Sequence, residues 1–290
     1  MLGLRTYAPW YLLGAFALAN AVIWQAVSST GARAGSLSLS VLDVGQGDAL
    51  FVESPSGSQV LIDGGPDERV LAQLGELMAF WDRSLDLVVL THPHADHLDG
   101  LVEILKRYDV GMVLESGVNH SIPEYGEWRT LLREKGVSVV VANAGQRVRL
   151  SGSVYLDVLA PLTSYEGKSP KDVHDAMVVL ELVHGATKAL LMGDAERPLE
   201  RELLASGLDL DVDVLKVGHH GSKTSTSGEF LRATTPRSAV ISVGRKNRYG
   251  HPHQEVLDRL EAAGMRTFRT DRDGTITLVS DGQRFRVSER

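Results

Sequence analysis

Hydrophobic and polar positions change their pattern at Gly35, and the two parts of the chain predict different structures. From Thr6 to Ala32 there is no charged residue. The core of that stretch, Tyr7 to Val27, is 21 residues long, and a membrane-spanning helix needs about 20 apolar residues. Trp10, Tyr11 and Trp24 lie towards its ends, where amphipathic rings favour the headgroup zone, and Pro9 suits a first helical turn. Residues 1–35 therefore read as a single membrane anchor and its linker. A cleaved signal peptide is the competing reading, because Arg5 gives a positive start and Ala32-Arg33-Ala34 resembles a cleavage site. Arg5 and Arg33 flank the run on opposite sides and leave its orientation weakly specified.

After Gly35 strands and helices alternate. Residues 37–42 alternate with period two, like a half-buried strand, and 49–52 and 59–62 follow across Ser-Pro-Ser-Gly turn chemistry. Helical spacing covers 68–81, the compact apolar strand 85–90 comes next, and a helix runs from about Asp96 to Tyr108. Strands at 110–114 and 137–141 enclose a helix at 124–135 with Gly136 at its stop. Further strands fall near 154–159, 177–183, 187–192, 213–217 and 239–243. Helices fall at 196–206, 227–233 and 254–263, and a hairpin around Asp281-Gly282 closes the chain. Two β-rich halves, each with outer helices, predict one domain over 36–290 in which two sheets pack together.

The 290 residues, 43% hydrophobic and 23% charged, are ample for a globular core. There is no cysteine, which excludes disulfides, thiolate metal sites and a cysteine nucleophile, so any metal must be held by His and carboxylates. The net charge of −7 excludes a dominant basic nucleic-acid surface but not a local basic patch.

The sharpest chemical signal is Thr91-His92-Pro93-His94-Ala95-Asp96-His97, directly after an apolar strand. His92 and His94 are two apart in extended chain and project to one side, while Asp96 and His97 follow as the chain turns into a helix. Such a loop presents two imidazoles to one metal and an Asp-His pair to a second, with ligand types that suit Zn²⁺, Mn²⁺ or Fe. Later strand ends offer more ligands. Asp194 follows the apolar run 189–192 and could bridge two metals, Gly218-His219-His220-Gly221 follows strand 213–217, and His174-Asp175 precedes a strand.

Taken with Asp43-Val-Gly-Gln-Gly-Asp-Ala49, Leu61-Ile-Asp-Gly-Gly65, Gly193-Asp-Ala195, Lys216 to Ser225 and Asn247-Arg-Tyr-Gly-His-Pro-His253, this loop resembles the metal motif of the metallo-β-lactamase fold. The ordered set is similar to the C-terminal domain of ComEC-type DNA-uptake proteins. The resemblance implies an α/β fold, the αββα sandwich, here preceded by one N-terminal transmembrane helix. It implies a hydrolase with two divalent ions, Zn or Mn. His92, His94, Asp96 and His97 match the main ligands, Asp194 the bridging carboxylate and His219 the late His ligand. Asp63 matches an aspartate that holds the metal loops by hydrogen bonds, and Asp43 and Asp48 are placed with it. His174 departs from the relatives' Asn-rich segment and would restore a three-His arrangement.

The expected reaction is phosphodiester hydrolysis, by attack of a metal-activated hydroxide on phosphorus. Asp96, His220, His251 and His253 are the candidate catalytic groups, the last three as proton donors to the leaving oxygen. Gly218 and Gly221 would let the backbone approach a phosphate, and Ser222, Lys223 and Thr224 would donate to it. From Pro236 to Gln254 there is no acidic residue, and Arg245, Lys246 and Arg248 lie there with Tyr249, which can stack on a base. The expected substrate is DNA, taken up with a separate channel protein as possible partner. The expected place is the cell membrane, as a single-pass protein with the hydrolase domain outside the cytoplasm. Two alternatives stay open: a same-fold hydrolase of a small phosphoester, lactone or lactam, and a non-catalytic docking subunit of an uptake channel.

Overall fold

Strand residues 37–62 sort themselves by parity. Leu37, Leu39, Val41, Leu50, Val52, Val60 and Ile62 fall in one buried cluster, while Phe51 and Leu61 fall in another. Successive side chains of a strand point to opposite faces, so both faces of this sheet are covered. That is the reason the central strands read as unbroken apolar runs. A computed structural model describes residues 11–18, 20 and 35–288 of the chain.

Eight strands form the first sheet, in the order β15-β14-β1-β2-β3-β4-β5-β6. They are β1 (Leu37–Val41), β2 (Leu50–Glu53), β3 (Gln59–Ile62), β4 (Ser84–Leu90), β5 (Asp109–Glu115), β6 (Ser138–Val141), β14 (Ile276–Ser280) and β15 (Phe285–Val287). The second sheet has the order β13-β12-β11-β10-β9-β8-β7. Its strands are β7 (Arg147–Arg149), β8 (Val154–Ala160), β9 (Val179–His184), β10 (Thr187–Leu191), β11 (Val214–Lys216), β12 (Ser238–Ile241) and β13 (Arg266–Arg269). Leu180, Leu182, Leu191, Val214 and Val240 of this sheet join the first sheet's inner residues in one core between the sheets.

Helices cover both outer faces. On the first sheet lie α1 (Arg69–Leu77), α2 (Ala95–Arg107) and α3 (Pro123–Lys135), through Leu74, Leu101 and Trp128 among others. On the second lie α4 (Arg197–Ala205), α5 (Gly228–Thr234) and α6 (Gln254–Ala262), through Leu203, Phe230 and Leu260. The layer order is αββα, as expected. Burying each such side chain contributes about 1.5–3 kcal/mol. The strands missing from the sequence reading are β7 and β13. Both are short edge strands with arginines at two of their few positions, so neither carries an apolar alternation to read.

Strands β3 to β6 run parallel, and so do β10 to β13. Segments leaving the C-terminal ends of these strands meet at one edge of the sandwich. The opposite edge holds the start of β1, where the chain enters the domain. Most of the expected N-terminal span lies outside the described residues; 11–18 and 20 are helical and exposed. Among the described residues no helix is long and apolar enough to cross a membrane.

Trp128 is fully buried under the first sheet, and its Nε1 donates to Glu115 at 2.8 Å. Trp128→Ala should destabilise the fold by about 3–5 kcal/mol, visible as an early urea midpoint. Trp128→Phe, which keeps most of the volume and loses the donor, should cost less.

Candidate metal centre

The loop after β4 is held by one carboxylate. Asp63 closes β3 with a left-handed backbone, φ 58°. Its Oδ1 accepts from Thr91 N at 2.8 Å, and its Oδ2 accepts from Thr91 Oγ1 at 2.6 Å and from His97 Nδ1 at 2.8 Å. Those bonds fix both ends of the segment 91–97 and commit His97 Nδ1, which turns His97 Nε2 towards Asp194 Oδ2, 3.3 Å away. His92 Nε2 and His94 Nδ1 lie 3.0 Å apart. His174 reaches them from a short helical turn, Val173–Ala176, with its Nδ1 held by Asp172 Oδ1 at 2.7 Å.

Four groups of ligand atoms result among the described residues, each with its atoms within 4.8 Å of one another; the fourth, Asp48, Asp63 and His97, lies behind the other three. One is His92, His94 and His174; a second is Asp96, His97, Asp194 and His220; a third is His174, Asp194 and His219. Asp194 belongs to two of them. Its Oδ1 lies 3.4 Å from His220 Nε2, and its Oδ2 lies 4.0 Å from His92 Nε2 and 3.7 Å from His219 Nε2. Buried polar atoms are ordinarily hydrogen-bonded, yet His97 Nε2, His174 Nε2, His220 Nε2 and Asp194 Oδ1 have no such partner. Nitrogen and carboxylate atoms that converge in this way fit divalent cations of the Zn²⁺ class.

The charges are tuned by burial and by each other. Burial opposes a charged imidazole at His220, but Asp194 and Asp48 outweigh it and raise its pKa to about 9. His97 is likewise raised by Asp194 and Asp63 against its burial. Burial raises the Asp96 carboxyl, but the neighbouring His220 and His97 imidazoles outweigh it and bring it down to about 2. Burial and neighbouring imidazoles press both His94 and His251 down to about 4. Lys216, buried at the end of β11, is ion-paired with Asp48 and donates to Gly193 O at 3.3 Å.

This chain matches the metallo-beta-lactamase superfamily over residues 42–245. The chain belongs to that superfamily. ComE operon protein 3 of Bacillus subtilis (strain 168) is 34% identical to it over 253 residues, covering 81% of this chain and 32% of the relative. Competence protein ComA of Neisseria gonorrhoeae is 34% identical over 242 residues, covering 82% of this chain and 31% of the relative. The chain thus spans about a third of the length of these curated relatives. The expected likeness to ComEC-type competence proteins is borne out. Among solved structures, Igni18, a metallo hydrolase from Ignicoccus hospitalis, shares the fold with a TM-score of 0.54 at 18% identity, covering 83% of this chain and 98% of that one.

Within this superfamily fold, the expected site residues separate by position. His92, His94, Asp96, His97, His174, Asp194, His219 and His220 all gather at the one edge. His220, expected as a proton donor, has its Nε2 within 3.5 Å of Asp96 and 3.4 Å of Asp194, inside the second group of ligand atoms. His219 instead joins the third group, with its Nε2 3.7 Å from Asp194 Oδ2 and its Nδ1 held by Glu196 Oε1 at 2.9 Å. Both His219 and His220 have left-handed backbones, φ 46° and 53°, so adjacent side chains diverge to different groups. His251 lines the same pocket, stacked on Tyr249 with ring centroids 5.7 Å apart, while His253 packs behind it. Asp48 touches His220 Nδ1 at 3.4 Å; Asp43 instead closes its own turn by accepting from Gly45 N.

The glycines and hydroxyls near His219 serve the loop itself. A Cβ on Gly218 would meet Ala195 O at 2.5 Å, and one on Gly221 would meet Pro252 Cβ at 2.6 Å, so the close approach is to other parts of the protein itself. Ser222 Oγ bonds Thr224 Oγ1 at 2.7 Å, and Thr224 Oγ1 donates to Glu196 at 2.6 Å; Lys223 is exposed beside them. Lys216, Glu196 and Gln46 had no role in the sequence reading. Lys216 left a signal, a cation inside an apolar strand; Glu196 two places after Asp194 left a weaker one.

Arg245, Lys246, Arg248 and Tyr249 line a cleft of about 880 Å³ that also carries Gln46, Arg69 and Asp96. Gln46, Asp96 and Tyr249 line the His pocket too, so the two spaces adjoin. Arg69, brought in by α1, was not expected there. A Cβ on Gly45 would meet its Nη1 at 2.2 Å, so this glycine makes room for the guanidinium.

Removing the loop latch should loosen the whole centre. Asp63→Ala should weaken Zn²⁺ or Mn²⁺ binding about 10–100-fold, measured by competition with a chromogenic chelator. Protons compete for the same atoms. His97 and His220 carry protons in the metal-free site near neutral pH, so metal binding should release protons and tighten as pH rises, which calorimetry in two buffers measures. In the metal-free chain the raised pKa of His220 contributes stability below its ordinary 6.5 that is lost as pH rises through about 9. The lowered values of His94 and His251 act oppositely, with stability present above 6.5 and lost as pH falls towards about 4.

Proposed function

We propose that this chain is a membrane-anchored, metal-dependent phosphodiesterase that cleaves DNA in competence-type uptake. The observation that carries the reading is that the His pocket and the basic, aromatic cleft adjoin and share Asp96 in their walls. A nucleic-acid strand needs cations along its phosphates and a ring face for its bases, and Arg69, Arg245, Lys246, Arg248 and Tyr249 supply both. The relatives' competence-type names favour DNA over a small ester.

His92, His94 and His174 would hold one divalent ion, and Asp96, His97 and His220 a second, with Asp194 between them. Such ions supply Lewis acidity and bring water to a nucleophilic form near neutral pH. The chain's own groups do the rest. Asp63 orients the loop and fixes the tautomer of His97. Lys216 neutralises Asp48, which in turn faces His220. Glu196 orients His219. His251, expected as a proton donor, is instead held neutral by burial, its pKa at about 4; stacked on Tyr249, it would offer a ring N–H as a hydrogen-bond donor to the leaving oxygen rather than a proton. The anchor is the charge-free stretch 6–32, and the domain works outside the cytoplasm beside a separate channel protein.

The test is cleavage of single- and double-stranded DNA by the full chain in detergent, metal-free and with Zn²⁺ or Mn²⁺ added. Cleavage should require metal and vanish in Asp194→Asn. Lys246→Ser with Arg248→Ser should weaken DNA binding and lower the slope of log affinity against log salt by roughly 1–2. Metal binding without cleavage of any DNA would overturn the nuclease reading and direct the search to small phosphoesters.

A further inference from the structure

The edge opposite the metal centre carries an unusual turn. Asp82 N donates to Ala79 O at 2.9 Å, which closes a tight turn whose two corner residues are Phe80 and Trp81. Such corners ordinarily hold Gly, Pro, Asn or Asp. Here two large aromatics stand 79% and 68% exposed, edge to face with centroids 4.7 Å apart. The turn is tied back to the sheet. Asp82 accepts from Ser84 N at 3.1 Å, from Ser84 Oγ at 2.8 Å and from Gln59 Nε2 at 3.0 Å, so its charge is turned into the protein. Arg83 follows, exposed, with its Nη1 donating to Asp82 O at 2.8 Å and its guanidinium over the Tyr108 ring.

The turn sits where the chain enters the domain. Ser38 of β1 pairs with Glu53 of β2, Glu53 pairs with Gln59 of β3, and Gln59 holds Asp82. Neighbouring strands are about 4.8 Å apart, so the start of β1 and the start of β3 are separated by roughly 10 Å. The charge-free stretch 6–32 therefore leads into the domain at the edge that displays Phe80 and Trp81. The metal centre lies at the other end of β4, whose seven residues span roughly 20 Å.

We propose that Phe80 and Trp81 form a membrane-interface foot, seated in the lipid headgroup zone beside the N-terminal anchor. Trp is favoured at that depth because its ring is apolar and its N–H stays hydrated. Exposed Arg83 adds a positive charge at the same edge, where lipid phosphates would sit. The foot, with the anchor, gives the domain two points of attachment at one edge. The opposite edge, with its cleft, then faces away from the bilayer and open to an incoming strand. The inference rests on the anchor reading above.

The chain has no cysteine, so Ala79→Cys gives a single labelling site at the turn and Arg248→Cys one at the cleft. The full chain, labelled with an environment-sensitive fluorophore, is reconstituted into phosphatidylcholine–phosphatidylglycerol vesicles with and without brominated acyl chains. The vesicles are also floated on a density gradient. The expected result is that the chain floats, the label at 79 is quenched by brominated lipid, and the label at 248 is not. Phe80→Ser with Trp81→Ser should abolish that quenching while the chain still floats. A floating chain whose label at 79 stays unquenched would overturn the foot and leave the anchor standing. A blue-shifted but unquenched label would mean protein cover, which also overturns the lipid assignment. A chain that does not float would sink both the anchor and the foot.

Discussion

A carboxylate buried away from water must be matched by positive charge or hydrogen bonds, and three such groups set the architecture at the working edge of this protein. Asp63, Asp48 and Asp194 are all buried there. Asp63 is satisfied by Thr91 and His97, Asp48 by Lys216, and Asp194 only faces imidazole nitrogens, of which His97 Nε2 and His220 Nε2 have no hydrogen-bond partner. The first two carboxylates hold loops; the third is left facing a cluster of nitrogen atoms. Buried polar groups are this costly only because the interior is a poor solvent for charge. The same poor solvent makes a divalent ion at Asp194 an effective replacement for the protons on His97 and His220.

The sandwich can sustain this concentration of polar groups because its two sheets present their strand ends at one edge. Parallel strands send all their C-terminal loops the same way, and both sheets here contain a parallel run. The apolar cores between and outside the sheets carry stability, so the loops are free to carry strain. Asp63, His219 and His220 all have positive φ. Left-handed backbone in non-glycine residues is costly and persists only where surrounding contacts enforce it. At 219–220 the strain has a geometric result: neighbouring side chains serve two different groups of ligand atoms.

The two ends of the molecule are chemically distinct. One gathers imidazoles, carboxylates and a basic cleft. The other carries exposed aromatics and the start of β1. Under the function proposed above, that separation would keep anionic headgroups from competing for the cleft's arginines and lysines.

Much of the protein was legible in the sequence. The alternation of buried positions marked the strands of both sheets and the helices that cover them, because burial on both faces leaves unbroken apolar runs. The His92–His97 loop and Asp194 stood out because such residues at strand ends have few other uses. What the sequence could not decide is which side chains meet. His219 and His220 are adjacent in the chain, and only their left-handed backbones assign them to different groups. Lys216 and Glu196 looked like ordinary charges until the fold buried one against Asp48 and turned the other to His219. Arg69 is far in sequence from Arg245–Tyr249, and only the packing of α1 beside the edge puts it in their cleft. Patterns local in sequence report secondary structure and burial, because those depend on near neighbours. The partners of a polar side chain depend on loop closure across the sheets, and that is decided by the tertiary structure.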